Sequence, residues 1–237
     1  MEQRKVAHIV KETLNGLADF TWPNLCLLCE APLLNGEKHL CIKCIYHLPQ
    51  TNMDDLTNNK STERLSGRFA FEKAYAAFKY DKDSKIQKLL ELIKYKGEKK
   101  MAVHLGQLCA QKALELGLFK DIDCIIPVPL HPKKFKKRGY NQSEMLAIGL
   151  NHSLNVPILT DTLIRTKNQQ SQTSKNLWDR WKNTQTNFQL STTAQIEGKH
   201  LLLIDDVLTS GSTLEACAKV LLSIPNVKIS IFTLAIA

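Results

Sequence analysis

Residues 201–213 read Leu-Leu-Leu-Ile-Asp-Asp-Val-Leu-Thr-Ser-Gly-Ser-Thr, and they constrain the fold more than any other stretch of the chain. Four apolar residues lead directly into two acids, and a helical pattern from Leu214 to Leu222 follows the small hydroxylated residues. A continuous apolar run that ends in a turn is typical of a strand buried on both faces of a parallel sheet. The turn then lies between a strand end and a helix start, where α/β proteins bind ligands.

The turn itself has the composition of a phosphate-binding loop. Its glycine lets backbone N–H groups approach a phosphate closely, and the following helix adds its positive dipole end. Asp205 and Asp206 would repel a phosphate, so we expect them to bind hydroxyl groups. A ribose 5-phosphate satisfies both requirements; an ordinary strand–turn–helix corner with solvated acids is the alternative. The residues predicted to contact the phosphate are Leu208, Thr209, Ser210, Gly211, Ser212 and Thr213.

This segment resembles the signature of type I phosphoribosyltransferases. That family binds phosphoribosyl pyrophosphate (PRPP) together with magnesium, through an acid pair and a hydroxyl-rich loop. The resemblance implies PRPP and Mg²⁺ as ligands, with Asp205 and Asp206 in a catalytic role. A nucleoside-triphosphate P-loop is excluded, because the run Gly-x-x-x-x-Gly-Lys-Ser/Thr does not occur in the chain.

Four cysteines near the start of the chain have the spacing of a metal site. Cys26 and Cys29 form one Cys-x-x-Cys pair, and Cys41 and Cys44 form a second pair eleven residues later. Four thiolates are a complete ligand set for a tetrahedral zinc ion, so we predict a structural and not a catalytic zinc site. Redox-active dithiols are the alternative. The other cysteines are predicted to lie in the core: Cys109, Cys124 and Cys217. The nearby His39 and His47 are predicted to lie at the surface or beside the metal ligands.

The net charge of +9 belongs to the C-terminal part of the chain. Residues 1–60 carry a net charge of −1, and residues 61–237 carry +10, which indicates phosphate-rich partners for the latter. No apolar stretch approaches the length of a membrane span, and no hydrophobic signal-peptide region is present near the N-terminus. The apolar stripe from Val6 to Leu17 predicts a packing helix. We therefore expect a cytoplasmic protein.

A run of cations between His131 and Tyr140 follows the short apolar strand predicted at Cys124. This run has five cations in six positions and is predicted to be a loop that seats a pyrophosphate group: Lys133, Lys134, Lys136, Lys137 and Arg138. A solvated charge run or a localisation-like patch is the alternative for the lysines. Arg138 is the strongest candidate, because a guanidinium binds phosphate in a bidentate manner and Gly139 follows it.

The remaining polar stretches predict the domain organisation. Residues 50–66 read as a linker, and residues 167–187 read as a lid over the site or as disorder. We expect a helix and zinc module over residues 1–60 and an α/β domain over residues 61–237. The latter is predicted to be a doubly wound, mainly parallel sheet.

The full set of motifs resembles the ComF family of phosphoribosyltransferase-domain proteins. This resemblance implies a protein of DNA uptake and natural transformation that binds single-stranded DNA beside a helicase-like partner. It also places Arg165 with Arg138 among the residues that contact PRPP, with Arg138 in a catalytic role beside Asp205 and Asp206. Lys133, from the cation run, is a further predicted PRPP contact. The motifs are the two cysteine pairs, Lys94-Tyr95-x-Gly97, Pro127-Val-Pro129, Arg138-Gly-Tyr-Asn-Gln142, Arg165, Gln172, Arg180-x-x-Asn183, Phe188, and the segment from Asp205 to Thr213.

Three functions remain open from the sequence. The first is a PRPP-binding competence protein that acts on single-stranded DNA. The second is an active phosphoribosyltransferase with an unidentified base or amine acceptor, whose chemistry needs no protein nucleophile because metal and cations take up the charge of the leaving pyrophosphate. The third is a zinc-organised scaffold with a vestigial pocket, which the intact Asp205, Asp206 and Gly211 disfavour.

Overall fold

The computed structural model describes residues 24–51, 54–165, 188–191 and 196–237. The chain divides into two compact units, Met1–Leu48 and Pro49–Ala237. The helix expected between Val6 and Leu17 and the lid expected at 167–187 lie outside the described residues. None of the helices in the described ranges has the length and apolar character that a membrane crossing requires.

The N-terminal unit is built from short segments around its cysteines. Leu25 forms an isolated antiparallel bridge with Pro32, and Lys38 forms another with Leu40. Helix α1, Ile42–Tyr46, follows, and the Cys41 thiol accepts a hydrogen bond from the N–H of Cys44 in its first turn. So little regular structure leaves a small apolar core, and such units usually need a metal or disulfide to fold.

The larger unit alternates strands and helices. Its helices are α2 (Lys60–Leu65), α3 (Lys85–Tyr95), α4 (Lys99–Glu115), α5 (Pro132–Arg138), α6 (Gln142–Leu154) and α7 (Ser212–Leu221). Its strands are β1 (Ala74–Lys79), β2 (Cys124–Pro127), β3 (Leu163–Arg165), β4 (Phe188–Leu190), β5 (His200–Leu208) and β6 (Lys228–Ile236). Strands β3 and β4 form a separate antiparallel pair.

The central sheet has the strand order β1-β6-β5-β2, and all its neighbouring strands are parallel. Helix α6 packs against α4, β5 and β2. The core strands are apolar along nearly their whole length, as expected for a sheet covered on both faces. The prediction of an α/β fold with a parallel sheet is therefore confirmed. The buried positions of Cys109, Cys124 and Cys217 also agree with their assignment to the core.

Strand β5 extends further than its apolar run suggests, because the acids lie inside the strand. Asp205 pairs with Thr233 of β6, and the pairing continues to Leu208. On the other side, β2 ends at Pro127, which is opposite Ile204. The sheet therefore loses one neighbour of β5 at the point where the acids begin, and a crevice opens at its carboxyl edge.

The prediction that residues 50–66 form a linker is wrong, because the described residues of this stretch pack on β1. The N–H of Thr51 donates to the carbonyl of Ala77 at 2.9 Å. Asn59 forms a capping box at the start of α2 and donates from Nδ2 to the carbonyl of Ala74 at 2.9 Å. Leu65 is fully buried. Contact with β1 places this stretch in the larger unit, which begins at Pro49.

The prediction that residues 131–140 form a loop is wrong, because seven of them, including all five cations, lie on helix α5. Pro132 occupies the first turn, and His131 caps it by accepting from the N–H of Lys133 at 3.2 Å. Gly139 ends the helix in the left-handed region, with φ of 77°. A proline at the start and a glycine at the end are ordinary helix signals, and the charge run hid them.

Helices α4 and α6 cross at two glycines, and this crossing holds α6 against the sheet. A methyl group added at Gly149 would lie 2.1 Å from the carbonyl oxygen of Val103, and one at Gly106 would lie 2.5 Å from that of Leu146. Backbone atoms cannot yield as a flexible side chain does. The approach therefore admits only glycine at both positions.

Gly149→Ala is expected to lower stability by about 3 kcal/mol and Tm by about 6–12 °C, because the helices must separate. At an ordinary helix position the same change would stabilise by about 0.5–1 kcal/mol. His152→Ala, at an exposed position of the same helix, is the control and should change stability by less than about 0.5 kcal/mol. Thermal denaturation followed by circular dichroism measures both. A Gly149→Ala protein as stable as the parent would contradict the close crossing.

Candidate functional site

The acid pair lies in the crevice at the carboxyl edge of the sheet. Oδ1 of Asp205 accepts from the hydroxyl of Ser143 at 3.1 Å and from the N–H of Asp206 at 2.8 Å. Burial, and then the charge of Asp206, raise the pKa of Asp205 to about 7. Two adjacent carboxylates in a partly buried crevice repel each other, so the site favours a cation or a hydroxyl donor.

Lys94 pairs with one of the acids, although the sequence analysis did not name it as a site residue. Its Nζ lies 2.9 Å from Oδ2 of Asp206, and both side chains are largely shielded from solvent. The pair joins the last turn of α3 to β5. The signal for it was the motif Lys94-Tyr95-x-Gly97, but nothing in the sequence says which acid the lysine meets.

The turn after β5 presents an open helix terminus. Gly211 has φ of 79° and is the N-cap of α7, which has no side-chain cap. Ser210 and Ser212 are exposed, and their hydroxyl oxygens lie 3.0 Å apart. The N–H of Ser212 donates to the Ser210 hydroxyl at 3.4 Å, and a helix start without a side-chain cap is a position where proteins bind anions. Leu208 differs from its neighbours in this turn, because its side chain is buried and only its backbone can face a ligand.

Helix α2 and the residues after it support this turn from behind. Nη1 of Arg64 donates to the carbonyl of Thr209 at 2.8 Å. Arg68 pairs with Glu215 in the first turn of α7 at 2.9 Å. A methyl group at Gly211 would lie 3.0 Å from Cδ2 of Leu65. Residues of the stretch predicted to be a linker therefore help to position the turn between β5 and α7.

Arg138 contacts Tyr95 at the end of α3 and Gln142 at the start of α6. Its guanidinium carbon is 5.5 Å from the ring centroid of Tyr95, and Nη1 donates to Oε1 of Gln142 at 2.7 Å. Nζ of Lys137 is 6.0 Å from the same ring. Lys137 and Arg138 therefore both lie beside the end of α3, the helix whose Lys94 pairs with Asp206.

Lys133 stands apart from this group. It is exposed in the first turn of α5, and no contact of its side chain with the acids or with Arg138 is present in the described structure. Its assignment to the PRPP site stays a prediction.

Two buried polar residues connect the sequence motifs. The hydroxyl of Tyr140 donates to the carbonyl of Ile93, directly before Lys94. Nδ2 of Asn141 donates to the carbonyl of Val128 at 2.9 Å, and its Oδ1 caps α6 by accepting from the N–H of Ser143 at 3.2 Å. The motifs around residues 94, 128 and 140 thus form one hydrogen-bonded support for the acid pair.

Arg165 reaches the same neighbourhood from the β3–β4 pair. Its guanidinium carbon is 5.1 Å from the ring centroid of Phe188. Burial raises the pKa of Cys217 well above the usual range; the charge of Asp205 raises it further, and that of Arg165 lowers it. Both charged groups therefore act on one buried thiol of α7.

The four cysteines of the N-terminal unit form one cluster. Their sulfur atoms all lie within 4.8 Å of one another, and those of Cys29 and Cys41 are 3.7 Å apart. Metal–sulfur bonds of about 2.3 Å in a tetrahedron require sulfur separations of about 3.8 Å, so the cluster has the size of a tetrahedral thiolate site. The cluster can bind a metal.

The protonation of the cluster also favours a cation. Burial and the neighbouring thiols raise the pKa of Cys44 to about 12. Despite its burial, backbone N–H groups lower the pKa of Cys26 to about 6. Ionisation of one thiol thus makes ionisation of the next less favourable, and a bound cation offsets this repulsion between thiolates. His47 is not part of the cluster, and its Nδ1 lies 2.7 Å from the carbonyl of Lys43.

Comparison with known families identifies the C-terminal part of the chain. Residues 139–236 match the family model described as phosphoribosyl transferase domain. Two solved structures with low similarity are an allosteric regulatory enzyme of purine biosynthesis and a hypoxanthine phosphoribosyltransferase from Staphylococcus aureus. The first is 19% identical with a TM-score of 0.39 and covers 55% of this chain and 25% of that one. The second is 16% identical with a TM-score of 0.34 and covers 57% and 62%.

Two curated relatives match the chain at higher identity. The chain is 34% identical over 114 residues to competence protein F of Haemophilus influenzae, which covers 48% of this chain and 50% of that protein. It is 26% identical over 213 residues to the DNA utilization protein YhgH of Shigella flexneri, covering 85% and 92%. The chain thus spans about half of the first relative and nearly all of the second. The resemblance to the ComF family is confirmed by these relatives.

Proposed function

We propose that this chain, which carries a phosphoribosyl transferase domain over residues 139–236, binds PRPP together with Mg²⁺ in the crevice at the carboxyl edge of its sheet. The observation that carries the proposal is the placement of Asp205 and Asp206 next to a turn with an uncapped helix start. An acid pair suits ribose hydroxyls, and an open helix start suits a phosphate. Few other ligands need both within one crevice.

Each part of the crevice has a role in this proposal. Asp205 and Asp206 bind the ribose hydroxyls, and the turn from Leu208 to Thr213 binds the 5′-phosphate. Lys94, which pairs with Asp206, and Arg138, which contacts the adjacent Tyr95, compensate the charge of the pyrophosphate. Lys133 and Arg165 are further proposed contacts of the same ligand. The raised pKa of Asp205 fits Mg²⁺, since a hard cation bridging ligand and carboxylates would offset the repulsion between the acids.

We further propose that this site serves in DNA uptake and natural transformation, with single-stranded DNA as a partner. Support comes from the relatives, one called a competence protein and the other a DNA utilization protein. The net charge of +10 over residues 61–237 suits a polyanion. The helicase-like partner and the cytoplasmic location remain predictions from the sequence.

For the cysteine cluster we propose a structural zinc ion. Its four thiolates match the ligand set and size of a closed zinc site, which leaves no position for a substrate. The ion would supply folding free energy to the N-terminal unit.

An active phosphoribosyltransferase is the second candidate, and the Lys94–Asp206 pair favours it. Such a cation beside the acid pair can balance charge as the pyrophosphate departs from the sugar. Release of pyrophosphate from PRPP in the presence of a base or amine acceptor would establish this activity. Binding of PRPP without any such release would leave the non-catalytic role.

Titration calorimetry of the full chain with PRPP, with and without Mg²⁺, tests the proposed ligand. We expect binding that depends on Mg²⁺ and a rise in Tm of about 5–10 °C when PRPP exceeds its Kd about a hundredfold. Inorganic pyrophosphate is the control for charge alone, because it lacks the ribose and the 5′-phosphate. An equal rise in Tm with pyrophosphate would contradict recognition of the sugar.

A further inference from the structure

Helix α5 exposes an aromatic ring among cations, of which Lys134, Lys136 and Lys137 are not proposed PRPP contacts. Its seven residues read Pro-Lys-Lys-Phe-Lys-Lys-Arg, and the lysines are all exposed. Phe135 lies in their midst and is 48% exposed. A single exposed apolar residue is common. This ring, however, also lines a groove, so it is accessible to a ligand bound there.

The ring of Phe135 lines a groove of about 360 Å³ between the start of α4, helix α5 and helix α6. The floor of this groove is apolar, and two exposed lysines of α4 stand at its edge. One acid, Glu144, is also present in the lining, so cations outnumber acids there. The lining residues are Lys99, Lys100, Val103, Phe135, Tyr140 and Met145, with Glu144 and Gly139.

We propose that this groove binds single-stranded DNA, with one base stacked on Phe135 and the backbone phosphates on Lys99, Lys100 and the lysines of α5. The inference rests on the proposed role in DNA handling and names the surface for that partner. Proteins that bind single strands combine a positively charged groove with aromatic side chains on which bases stack. Both elements occur here within one groove.

The chemistry of the groove selects a single strand over other polyanions. In a duplex the flat faces of the bases are stacked on each other and closed to a protein ring. An acidic peptide would be attracted to the lysines but has no flat face to cover Phe135. An unpaired nucleotide offers a phosphate and an open base face together.

The groove is separate from the PRPP crevice, although the two are neighbours. Tyr140 lines the groove, and its hydroxyl bonds the carbonyl of Ile93, one residue before Lys94. Lys99, Lys100 and Phe135 make no contact with Asp205 or Asp206 in the described structure. Substitution of these three residues therefore tests DNA binding without removing a proposed PRPP ligand.

Fluorescence anisotropy of a labelled oligothymidylate about 16 nucleotides long, the upper end of single-strand site sizes, provides the test. With the full chain, we expect Phe135→Leu to weaken binding about tenfold, since one stacked base is lost. Phe135→Tyr keeps the ring and should bind within about twofold of the parent. The leucine change retains an apolar side chain, so it isolates the aromatic face.

The salt dependence separates a local contact from net charge. Lys99→Gln with Lys100→Gln should lower the slope of log K against log salt by about 1.4, about 0.7 for each lost phosphate contact. Lys112→Gln in the last turn of α4, combined with Lys120→Gln in the turn that follows the helix, removes the same charge and should leave the slope unchanged. PRPP binding by calorimetry should be the same in all these variants.

Failure of this inference can be told apart from failure of the proposed function. If DNA binds the parent, Phe135→Leu and the Lys99/Lys100 variant equally well, the groove is not the DNA site and the DNA role remains. If the parent binds no DNA, this inference and the DNA role both fall, whereas PRPP binding is judged by its own titration. Displacement of the DNA by an acidic peptide as readily as by unlabelled oligonucleotide would also overturn the inference.

Discussion

Replacing Asp205 and Asp206 together with asparagine is expected to weaken PRPP binding by at least about a hundredfold. Each hydrogen bond to a charged group contributes about 1.5–3 kcal/mol, so the loss of two carboxylates costs about 3–6 kcal/mol. A change of about 1.4 kcal/mol is tenfold in affinity. Asparagine preserves the size of the side chains, so the crevice should keep its shape. Calorimetry at pH 8 with Mg²⁺ measures the change.

Asp123→Asn is the matched control for the acid pair. Oδ2 of Asp123 accepts from the N–H of His200 at 2.7 Å, at the opposite end of β5. An amide oxygen can accept the same bond, so the fold should persist and PRPP affinity should stay within about twofold. If the double variant binds PRPP as tightly as the control, the acids do not hold the ribose.

Because the pKa of Asp205 is raised, both the stability of the protein and its affinity for PRPP are expected to depend on pH. Because the pKa rises from 3.8 in the unfolded chain to about 7 in the folded one, the contribution of Asp205 to the free energy of unfolding is most favourable below about pH 4 and is lost as pH rises through 7. Asp205→Asn removes the repulsion and should melt above the parent at pH 8, by about 2–4 °C for each kcal/mol relieved. The parent should bind PRPP more weakly below pH 7, where Asp205 is protonated.

Removal of the metal is expected to unfold the N-terminal unit. Structural zinc in small modules supplies an apparent free energy of about 10–16 kcal/mol, far more than the small core of this unit can replace. Cys41→Ser should abolish stoichiometric zinc and expose residues 24–48 to proteases. The Cys41 thiol accepts from the N–H of Cys44 and lies 3.7 Å from that of Cys29, so its loss opens the cluster. Plasma mass spectrometry and limited proteolysis read out the two effects.

Cys109→Ala serves as the control for loss of a cysteine. Cys109 is buried in α4, outside the cluster. Its replacement should cost about 1 kcal/mol from the lost burial and leave the zinc content unchanged. Full zinc content in Cys41→Ser, or zinc-free parent protein with a protease-resistant N-terminal unit, would refute the structural role of the metal.

The features that local chain chemistry controls were predictable. The strand, turn and helix around Asp205 follow from an apolar run and small residues, and Ser84 and Asn141 are caps at the helix starts where their side chains suggest them. The cysteine cluster follows from spacing alone. Errors arose where one local signal drew attention from another. The charges around Phe135 suggested a loop, although Pro132 and Gly139 mark the start and the end of helix α5.

Pairings between distant parts of the chain required the folded structure. Lys94 meets Asp206, and Arg64 meets Thr209, although more than a hundred residues separate each pair. No local propensity encodes such a contact, because it depends on strand order and on the register of β5 against β6. The polar stretch before β1 is the clearest case: its composition suits a loop, yet burial of Leu65 and bonds to β1 outweigh that tendency.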